Sequence, residues 1–571
     1  YYTMDEGYME SVMWAFKQLY NKGLVSEGFK VMPYCHVCET SLSHFESRLD
    51  DSYRLRTDPA VTVRFPLDSG ETLLAWTTTP WTLPANLAVA VNQDLTYIVM
   101  EGNGERLVLA EGAVERYADE LKDYKRVDAK PGSAFLGKSY TPPFNYYVGH
   151  PQSHVVLHAD FVTDEDGTGI AHEAPGFGEE DQVLTEAHGI EIVVPVDKQG
   201  NYTEEIKAFQ GLNVFDANPA VVDHLKNQGT LFKHEEYEHM YPHCWRTDNP
   251  LIYRAVSSWT IDVPSFRDEI VANNKDINWV PRNVKDGAFG KWIEGARVWN
   301  VSRDRFWGTP IPIWKTDDGE VLVIGSLKEL KKRAVNPEKL TDLHKPYIDD
   351  VILKTDSGKE AKRVPEVFDC WFESGSMPFA QHNYPFDDQN TLKHPGDFIV
   401  EYIGQVRGWF YTLHVLSTAL FGKPAFTNAI SHGVILGNDG RKMSKKLGNY
   451  PDISHVFDAY GADSLRYYLF ESPIMTGETV AINERSIVDT QRNVFMTLLN
   501  SFKFFKTYSD IDGWEPPKEL QEPRSSQALD VWMLSRLNET VEEVTKHADA
   551  YNIPHAVRPL RKLIDDISNW Y

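Results

Sequence analysis

The sequence predicts an α/β fold in which a parallel-sheet domain is interrupted by a β-rich block and followed by helices. Three observations support this prediction. Short alternating strands fill residues 50–235, strands and helices alternate over residues 240–480, and helical periodicity dominates from residue 484 onward.

The β-rich block consists of short segments separated by Gly, Asp and Pro. AVTVRFPL alternates apolar and polar residues, and YIVMEGNGERLVLA predicts a hairpin that turns at Asn103 and Gly104. Strands this short and this frequent indicate a closed barrel or a sandwich.

The alternating region predicts buried parallel strands joined by helices. DFIVEYI and AISHGVIL are apolar enough for such strands. Between them, WFYTLHVLSTALFG predicts a crossover helix that ends at Gly422.

A helix opens the chain. Its apolar residues recur at helical spacing, and they are Met9, Val12, Met13, Phe16 and Leu19. Asp5 or Thr3 is the candidate N-cap, and Gly23 is the candidate terminator. We expect this helix to belong to the same α/β domain as residues 240–480, so that the β-rich block interrupts one domain.

Composition excludes several classes of protein. The 571 residues carry a formal net charge of -25, which argues against general adhesion to nucleic acid. The longest apolar stretches, such as residues 409–421, are shorter than the ~20 residues of a membrane helix. Four cysteines are too few for a disulfide framework in a chain of this length. We therefore expect a soluble, cytoplasmic protein.

A basic loop stands out against this acidic background. GRKMSKKLGN, residues 440–449, places Arg441, Lys442, Lys445 and Lys446 just beyond an apolar strand. Parallel sheets usually bind ligands on that side, and mobile ammonium groups suit a polyphosphate whose charge must be stabilised as a bond breaks. A solvated run of charge is the alternative interpretation.

The basic loop resembles the KMSKS signature of class I aminoacyl-tRNA synthetases. Further segments resemble the isoleucyl subgroup, in the expected order: WNVSRDRFWGTPIPIW (299–314), DCWFESGSMP (369–378) and EYIGQVRGWFYTLH (401–414). The string TTTPWTLPAN also matches the isoleucyl rather than the valyl or leucyl pattern. The resemblance implies a Rossmann-like catalytic core, a β-barrel editing insertion and an α-helical anticodon-binding bundle.

The resemblance implies an activation site beside the basic loop. Lys442 and Lys445 match the catalytic lysines that stabilise the pyrophosphate leaving group. The residues implied to bind substrate are Trp371, Glu401, Gln405, Trp409, His432 and Gly433. The two tryptophans match the walls of the amino-acid pocket, and two ordinary core tryptophans are the alternative. Lys446 departs from the serine, and Gly404 from the aspartate, of the family pattern.

The β-rich block carries a second implied site. WTTTPWTLPAN (76–86) and GTGIAHEAPGFGEED (167–181) resemble the two halves of the family's editing pocket. The implied pocket residues are Thr77, Thr78, Thr79, Asn86, His172 and Asp181. The hydroxyls and the amide suit a ribose or a water, the histidine is a titratable group, and the aspartate matches the anchor of the amino group. A Thr-rich strand and a Gly-rich turn are also ordinary β structure.

Three cysteines have the spacing of zinc ligands. Cys35 and Cys38 precede the β-rich block, and Cys244 follows it. The resemblance implies a structural site of four cysteines, but Thr247 stands at the fourth position. The candidate replacement ligands are His36 and His243. A metal-free remnant is the alternative to a zinc site.

The implied activity is attachment of isoleucine to its cognate tRNA through an adenylate made from ATP with Mg2+, with hydrolytic editing of valyl-tRNA. The expected partners are isoleucine, ATP and the tRNA for isoleucine, with no membrane, and the expected state is a monomer. The expected domains are residues 1–48 and 241–430 for the catalytic core, 49–240 for the editing insertion, 431–483 for the KMSKS loop and stem-contact region, and 484–571 for the start of the anticodon-binding bundle.

Both ends of the chain lie inside helical patterns, YYTMDEGYMESV and DDISNWY. The family's HIGH motif would precede residue 1. We therefore expect a fragment that lacks the N-terminal HIGH segment and the C-terminal end, and that completes ATP activation poorly. An editing and tRNA-binding module without synthetase activity is the alternative hypothesis.

Overall fold

The computed structural model describes residues 1–42, 46–48, 52–387, 392–443, 448–519 and 523–571. The chain opens with helix α1 (Glu6–Asn21) and strands β1 (Val25–Cys35) and β2 (Thr40–Ser41). The predicted apolar face of α1 is buried, which confirms this helix. Asp5 is the N-cap residue, but its carboxylate accepts a hydrogen bond from Tyr2 N rather than from a helix amide. Gly23 follows the helix in a left-handed conformation at φ 72°.

The β-rich block folds into two sheets over one core. Its elements are β3 (Tyr53–Pro66), β4 (Thr72–Thr77), β5 (Ala88–Val91), β6 (Thr96–Gly102), β7 (Glu105–Ala110), β8 (Lys125–Pro131), β9 (Val155–His158), β10 (Ile170–Glu173), α2 (Glu179–Ala187), α3 (Val214–Asn227) and β11 (Leu231–Pro242). One sheet has the strand order β11-β3-β4-β7-β6-β8, and the other has the order β10-β5-β9. Buried residues of both sheets belong to the same apolar core. The closed barrel stays a prediction.

The predicted hairpin in this block is confirmed. Strands β6 and β7 pair antiparallel on either side of Asn103 and Gly104. Both turn residues have positive φ, 48° and 80°, as a tight hairpin turn requires.

The second half of the chain alternates strands and helices. Its strands are β12 (Ile252–Ile261), β13 (Asn278–Val280), β14 (Trp299–Asn300), β15 (Ser302–Arg303), β16 (Ile313–Lys315), β17 (Val321–Val323), β18 (Leu353–Lys354), β19 (Glu360–Arg363), β20 (Val367–Phe368), β21 (Ile399–Tyr402), β22 (Asn428–His432), β23 (Ile435–Leu436) and β24 (Val480–Ala481). Its helices are α4 (Arg267–Asn274), α5 (Asn283–Asp286), α6 (Ala288–Glu294), α7 (Leu327–Arg333), α8 (Cys370–Gly375), α9 (Met377–Ala380), α10 (Trp409–Phe421), α11 (Ile453–Tyr460) and α12 (Ala462–Glu471).

A parallel sheet with the order β13-β22-β21 lies at the centre of this half. Helix α10 crosses from β21 to β22 and ends at Gly422, whose φ is 66°, as predicted. The sheet therefore presents the carboxyl ends of β21 and β22 side by side.

AISHGVIL does not form one strand, so that prediction was wrong. Strand β22 ends at His432, and Ile435 and Leu436 pair with β24 instead. Gly433 separates the two because its N–H donates to Ile474 O at 2.7 Å. A Cβ atom at Gly433 would lie 1.8 Å from Glu478 O, so the close backbone approach requires glycine there.

Strands β1 and β12 close the interruption of the α/β domain. They pair antiparallel over residues 25–34 and 252–261. Phe16 of α1 then packs edge-to-face on Phe368 and Phe372, with ring centroids 5.2 Å and 6.1 Å apart. One buried apolar core therefore joins segments from both sides of the β-rich block.

The C-terminal part is helical, as predicted. Its helices are α13 (Glu484–Thr490), α14 (Thr497–Ile511), α15 (Ala528–Asp549) and α16 (Ile553–Asn569), with a π-helical turn (Gln491–Met496) between α13 and α14. Helix α16 is tied to α12, because Tyr467 Oη donates to Val557 O at 2.8 Å. Among the helices of the described residues, none is long and apolar enough to cross a membrane.

Two candidate active sites and a cysteine cluster

Three of the predicted activation-site residues lie near the carboxyl ends of β21 and β22. Glu401 lies in β21, and His432 ends β22. The rings of Tyr402 and His432 are 6.5 Å apart. Gln405 Oε1 accepts a hydrogen bond from Trp409 N at 2.9 Å, which fixes the Gln405 amide at the start of α10. Because side chains alternate along a strand, His432 shares a face of the sheet with Tyr402, its partner in the register, rather than with Glu401.

The two predicted pocket tryptophans lie beside this edge. Trp409 Nε1 donates to Ser374 O of α8 at 2.9 Å. A Cβ atom at Gly408 would lie 3.0 Å from Trp371 Cη2, so the Trp371 ring rests on the backbone that begins α10. Both tryptophans are half-buried, unlike the fully buried Trp314. Partial exposure is what the wall of a pocket requires.

Helix α8 is positioned by a buried ion pair that the sequence does not reveal. Arg303, which is 3% exposed, donates to Asp369 Oδ2 at 2.9 Å. The other oxygen of Asp369 accepts a hydrogen bond from Trp371 N, which makes Asp369 the N-cap of α8. Loss of either partner would leave a buried charge unpaired. Both residues belong to quoted motifs, but no local pattern shows that they meet.

The base of the predicted phosphate loop is held by its own side chains. Asn449 Nδ2 donates to Asp439 Oδ1 at 2.9 Å and to Lys442 O at 3.1 Å. The Asn449 amide and the backbone N–H of Arg441 lower the pKa of Asp439 to about 2. The Arg441 side chain also donates to Asp439, at 2.8 Å, so this cation serves the fold of the loop. Lys445 lies outside the described residues.

His172 lies in the candidate editing pocket with both ring nitrogens hydrogen-bonded. Thr82 Oγ1 donates its single hydrogen to Thr79 O at 2.8 Å. The same oxygen lies 2.8 Å from His172 Nε2, so it must accept there, and Nε2 carries the proton of the ring. His172 Nδ1 then accepts from Asn86 Nδ2 at 3.3 Å, and Tyr140 Oη orients that amide by donating to Asn86 Oδ1 at 2.6 Å. Burial lowers the pKa of His172 to about 4. With this pKa the His172 ring is neutral near neutral pH, and its two hydrogen bonds fix its orientation.

The threonine row, residues 77–79, joins the hydrogen-bond network of His172 through Thr82. Thr77 Oγ1 lies 3.1 Å from Thr79 Oγ1, which lies 3.3 Å from Thr82 Oγ1. Thr78, between the first two, is half-buried. Thr82 was not among the predicted residues although it lies within the quoted WTTTPWTLPAN string. Its link to His172 spans 90 positions, which no local spacing could indicate.

Asp181 lies in the first turn of α2, against the end of β10. Its Oδ2 accepts a hydrogen bond from Ala174 N at 2.8 Å, and burial raises the pKa of Asp181 to about 6. Glu173 is 1% exposed, and neither of its carboxylate oxygens has a hydrogen-bond partner in the part of the chain that the structure describes. Burial and the nearby Asp181 charge raise the pKa of Glu173 well above its usual range. Both carboxyl groups therefore have raised pKa values, and of the two only Asp181 accepts a hydrogen bond from the described residues.

The three cysteines lie together beside the β1–β12 pair. The Sγ atoms of Cys35, Cys38 and Cys244 are all within 4.8 Å of one another. Cys38 Sγ and Cys244 Sγ are 4.0 Å apart. Thr247 Oγ1 lies 3.5 Å from Cys35 Sγ, where the fourth ligand was expected.

The two histidines considered as replacement ligands have other contacts. The His36 ring lies against Phe215, with centroids 5.7 Å apart. His243 Nδ1 lies 2.8 Å from Tyr241 O. Neither histidine belongs to the three-cysteine ligand cluster found among the described residues, so its role as a replacement ligand stays a prediction.

Two family models match this chain. A model of "tRNA synthetases class I (I, L, M and V)" matches residues 1–481, and a model of the "Anticodon-binding domain of tRNA ligase" matches residues 530–571. A solved LeuRS–tRNA–LeuAMS complex from Agrobacterium radiobacter aligns with 99% of this chain and 69% of its own, at a TM-score of 0.46 and 16% identity, which is too distant to support an argument.

Curated relatives match along the whole chain. Isoleucine–tRNA ligases of Rickettsia canadensis, Nocardia farcinica and Mycobacterium tuberculosis are each 47% identical to it. The alignments cover 100% of this chain and 54%, 56% and 57% of the relatives, so the chain spans about half their length. The family model and the motifs at both sites agree: the chain belongs to the class I tRNA synthetases of the isoleucyl, leucyl, methionyl and valyl group.

Proposed function

We propose that this chain carries the two active sites of an isoleucine–tRNA ligase. The proposed activity attaches isoleucine to its cognate tRNA through an isoleucyl-adenylate and hydrolyses valyl-tRNA that is made in error. The observation that supports the proposal is that the motif residues form two separate groups in one chain. One lies at the ends of β21 and β22, and the other lies around His172 in the β-rich block.

In the proposed activation step, a carboxylate oxygen of isoleucine bonds to the α-phosphorus of ATP, and the bond to pyrophosphate breaks. Mg2+ bound to ATP neutralises part of the phosphate charge. Glu401 binds the ammonium group, and Trp371 and Trp409 enclose the apolar side chain. Lys442 and Lys445 stabilise the departing pyrophosphate. A ribose hydroxyl of the tRNA then attacks the isoleucyl carbonyl carbon, and AMP leaves.

A second site is needed because isoleucine and valine differ by one methylene group. An apolar pocket can discriminate between the two amino acids by only about 1–3 kcal/mol of binding free energy, and isoleucyl enzymes are the standard example of this limit. In the proposed editing reaction, a water oxygen bonds to the ester carbonyl carbon, the bond to the ribose oxygen breaks, and that oxygen takes the proton. Asp181 binds the valyl ammonium group, and the threonine hydroxyls orient the ribose or the water.

The cysteine cluster fits a structural zinc ion. Zinc–sulfur bonds of about 2.3 Å in a tetrahedron place sulfur atoms about 3.8 Å apart, close to the 4.0 Å between Cys38 and Cys244. Thr247 offers an oxygen beside Cys35. We infer that zinc joins the chain before the β-rich block to the chain after it, and that the ion has no role in either reaction.

Replacement of Trp371 by alanine should weaken binding of a non-hydrolysable isoleucyl-adenylate analogue. We expect a rise in Kd of roughly 10- to 100-fold, because the change removes a wall of the pocket. Calorimetric titration of the full chain measures this Kd. Trp245→Ala, which removes an exposed tryptophan beside the cysteine cluster, should leave it unchanged. Failure of the unaltered chain to bind the analogue while it still hydrolyses valyl-tRNA would favour the module hypothesis over a synthetase.

Hydrolysis of valyl-tRNA should slow as the pH falls through about 6. The pKa of Asp181 is raised to about 6, so acid removes the negative charge that binds the substrate ammonium group. His172, whose pKa is lowered to about 4, stays neutral through this range. We expect kcat/KM for hydrolysis to fall as the pH drops through about 6. Asp181→Asn should remove this pH dependence and most of the hydrolytic activity. Glu204→Gln, an exposed change elsewhere in the β-rich block, should preserve the profile. An unaltered profile in Asp181→Asn would contradict the assignment.

The purified chain should contain about one zinc ion per molecule, as measured by plasma mass spectrometry. Cys244→Ser should lose the ion and lower the unfolding temperature, because the link across the β-rich block is broken. Cys370→Ser, which changes the exposed fourth cysteine, should retain the zinc ion and leave the unfolding temperature unchanged. A metal-free chain whose unfolding temperature is unaffected by Cys244→Ser would support the remnant instead.

A further inference from the structure

A chain of side-chain hydrogen bonds connects the candidate editing pocket to a buried tyrosine that lies in neither editing motif. Tyr140 is 4% exposed, and its hydroxyl donates to Asn86 Oδ1 at 2.6 Å. Its ring packs edge-to-face on Phe65 of β3 and on the His154 ring, with centroids 5.5 Å and 5.7 Å apart. Its backbone N–H donates to His154 O at 3.2 Å. The core of the β-rich block therefore holds this hydroxyl in place.

The Asn86 amide is the link that decides the direction of the chain. Its Nδ2 donates to Ala88 O at 2.8 Å, and a backbone carbonyl can only accept. Its Oδ1 accepts from Tyr140, which stays protonated because burial raises its pKa well above the usual range. The nearer acceptor for the second hydrogen of Nδ2 is His172 Nδ1 at 3.3 Å, rather than Glu173 O at 3.5 Å. A backbone acceptor and a tyrosine donor therefore hold the two ends of one amide.

The remaining links follow from the orientation of this amide. Because His172 Nδ1 accepts, the ring proton is on Nε2 and is donated to Thr82 Oγ1 at 2.8 Å. Thr82 in turn donates to Thr79 O, also at 2.8 Å. The opposite ring tautomer would require the Thr82 hydroxyl to donate to His172, which would break its bond to Thr79. All links from Tyr140 to the threonine row therefore run in one direction.

We propose that Tyr140 is a positioning residue of the editing site, which acts through Asn86 and His172 to hold the threonine row in the orientation that hydrolysis requires. This inference rests on the proposed function, because the row orients the ribose or the water only if the β-rich block edits valyl-tRNA. Tyr140 is buried and does not touch the substrate. Asp181 accepts from Ala174 N instead, so binding of the valyl ammonium group does not depend on the chain.

Tyr140→Phe keeps the buried ring and removes only the donor, which leaves Asn86 Oδ1 without that partner. We expect kcat for hydrolysis of valyl-tRNA by the full chain to fall roughly tenfold, with little change in KM. Tyr117→Phe is the matched control, because its buried hydroxyl lies 2.8 Å from Thr62 Oγ1 in the same block but outside the chain. This control should leave kcat unchanged. The unfolding temperatures of the two variants show whether a loss of rate is a loss of fold.

A double-mutant cycle with Asn86→Ala distinguishes positioning from general support of the block. The cycle is measured in single turnover with the chain in excess, so that slow hydrolysis can still be followed. If Tyr140 acts through Asn86, Tyr140→Phe should slow hydrolysis roughly tenfold in the unaltered chain and no further in Asn86→Ala.

Losses of rate that multiply in the double variant would overturn the positioning role, and so would an unchanged kcat in Tyr140→Phe. Both results leave the proposed function standing, provided that the unaltered chain hydrolyses valyl-tRNA. An unaltered chain that does not hydrolyse it would overturn the proposed editing function, and the role of Tyr140 with it.

Discussion

The antiparallel pairing of β1 with β12 is the constraint on which the rest of the structure depends. This pair returns the chain to the α/β domain after the β-rich block, and it lets Phe16 of α1 reach Phe368 and Phe372. Closing so long a loop costs conformational entropy, although the cost rises only slowly with length. The buried core shared by both segments offsets that cost. Because the cysteine cluster lies beside the same strands, one junction fixes the β-rich block relative to the parallel sheet.

Local environments, rather than the net charge of -25, determine the chemistry of each site. Around the proposed phosphate loop, Asp439 engages Arg441 and Asn449 and so organises the backbone next to Lys442. In the β-rich block, burial keeps His172 neutral and raises the pKa of Asp181 to about 6. The proposed cationic loop and the proposed editing pocket, with its neutral histidine, can therefore belong to one acidic chain.

Features that depend on neighbouring residues could be predicted from the sequence. The turn at Asn103 and Gly104 and the helix that ends at Gly422 both rest on glycine conformation and apolar spacing. Contacts between distant segments could not be predicted. The bond from Thr82 to His172 and the pair of Arg303 with Asp369 depend on how the sheets and helices pack.

The break in AISHGVIL has the same origin, because it depends on the hydrogen bond from Gly433 N to Ile474 O and on the pairing of β23 with β24. The most direct test of the account is the single-turnover hydrolysis of valyl and isoleucyl groups carried by the same tRNA for isoleucine. If the β-rich block is an editing site that admits the smaller side chain, the full chain should hydrolyse the valyl ester much faster than the isoleucyl ester. Equal rates for the two esters, or no hydrolysis of either ester, would contradict the assignment of the β-rich block as an editing site.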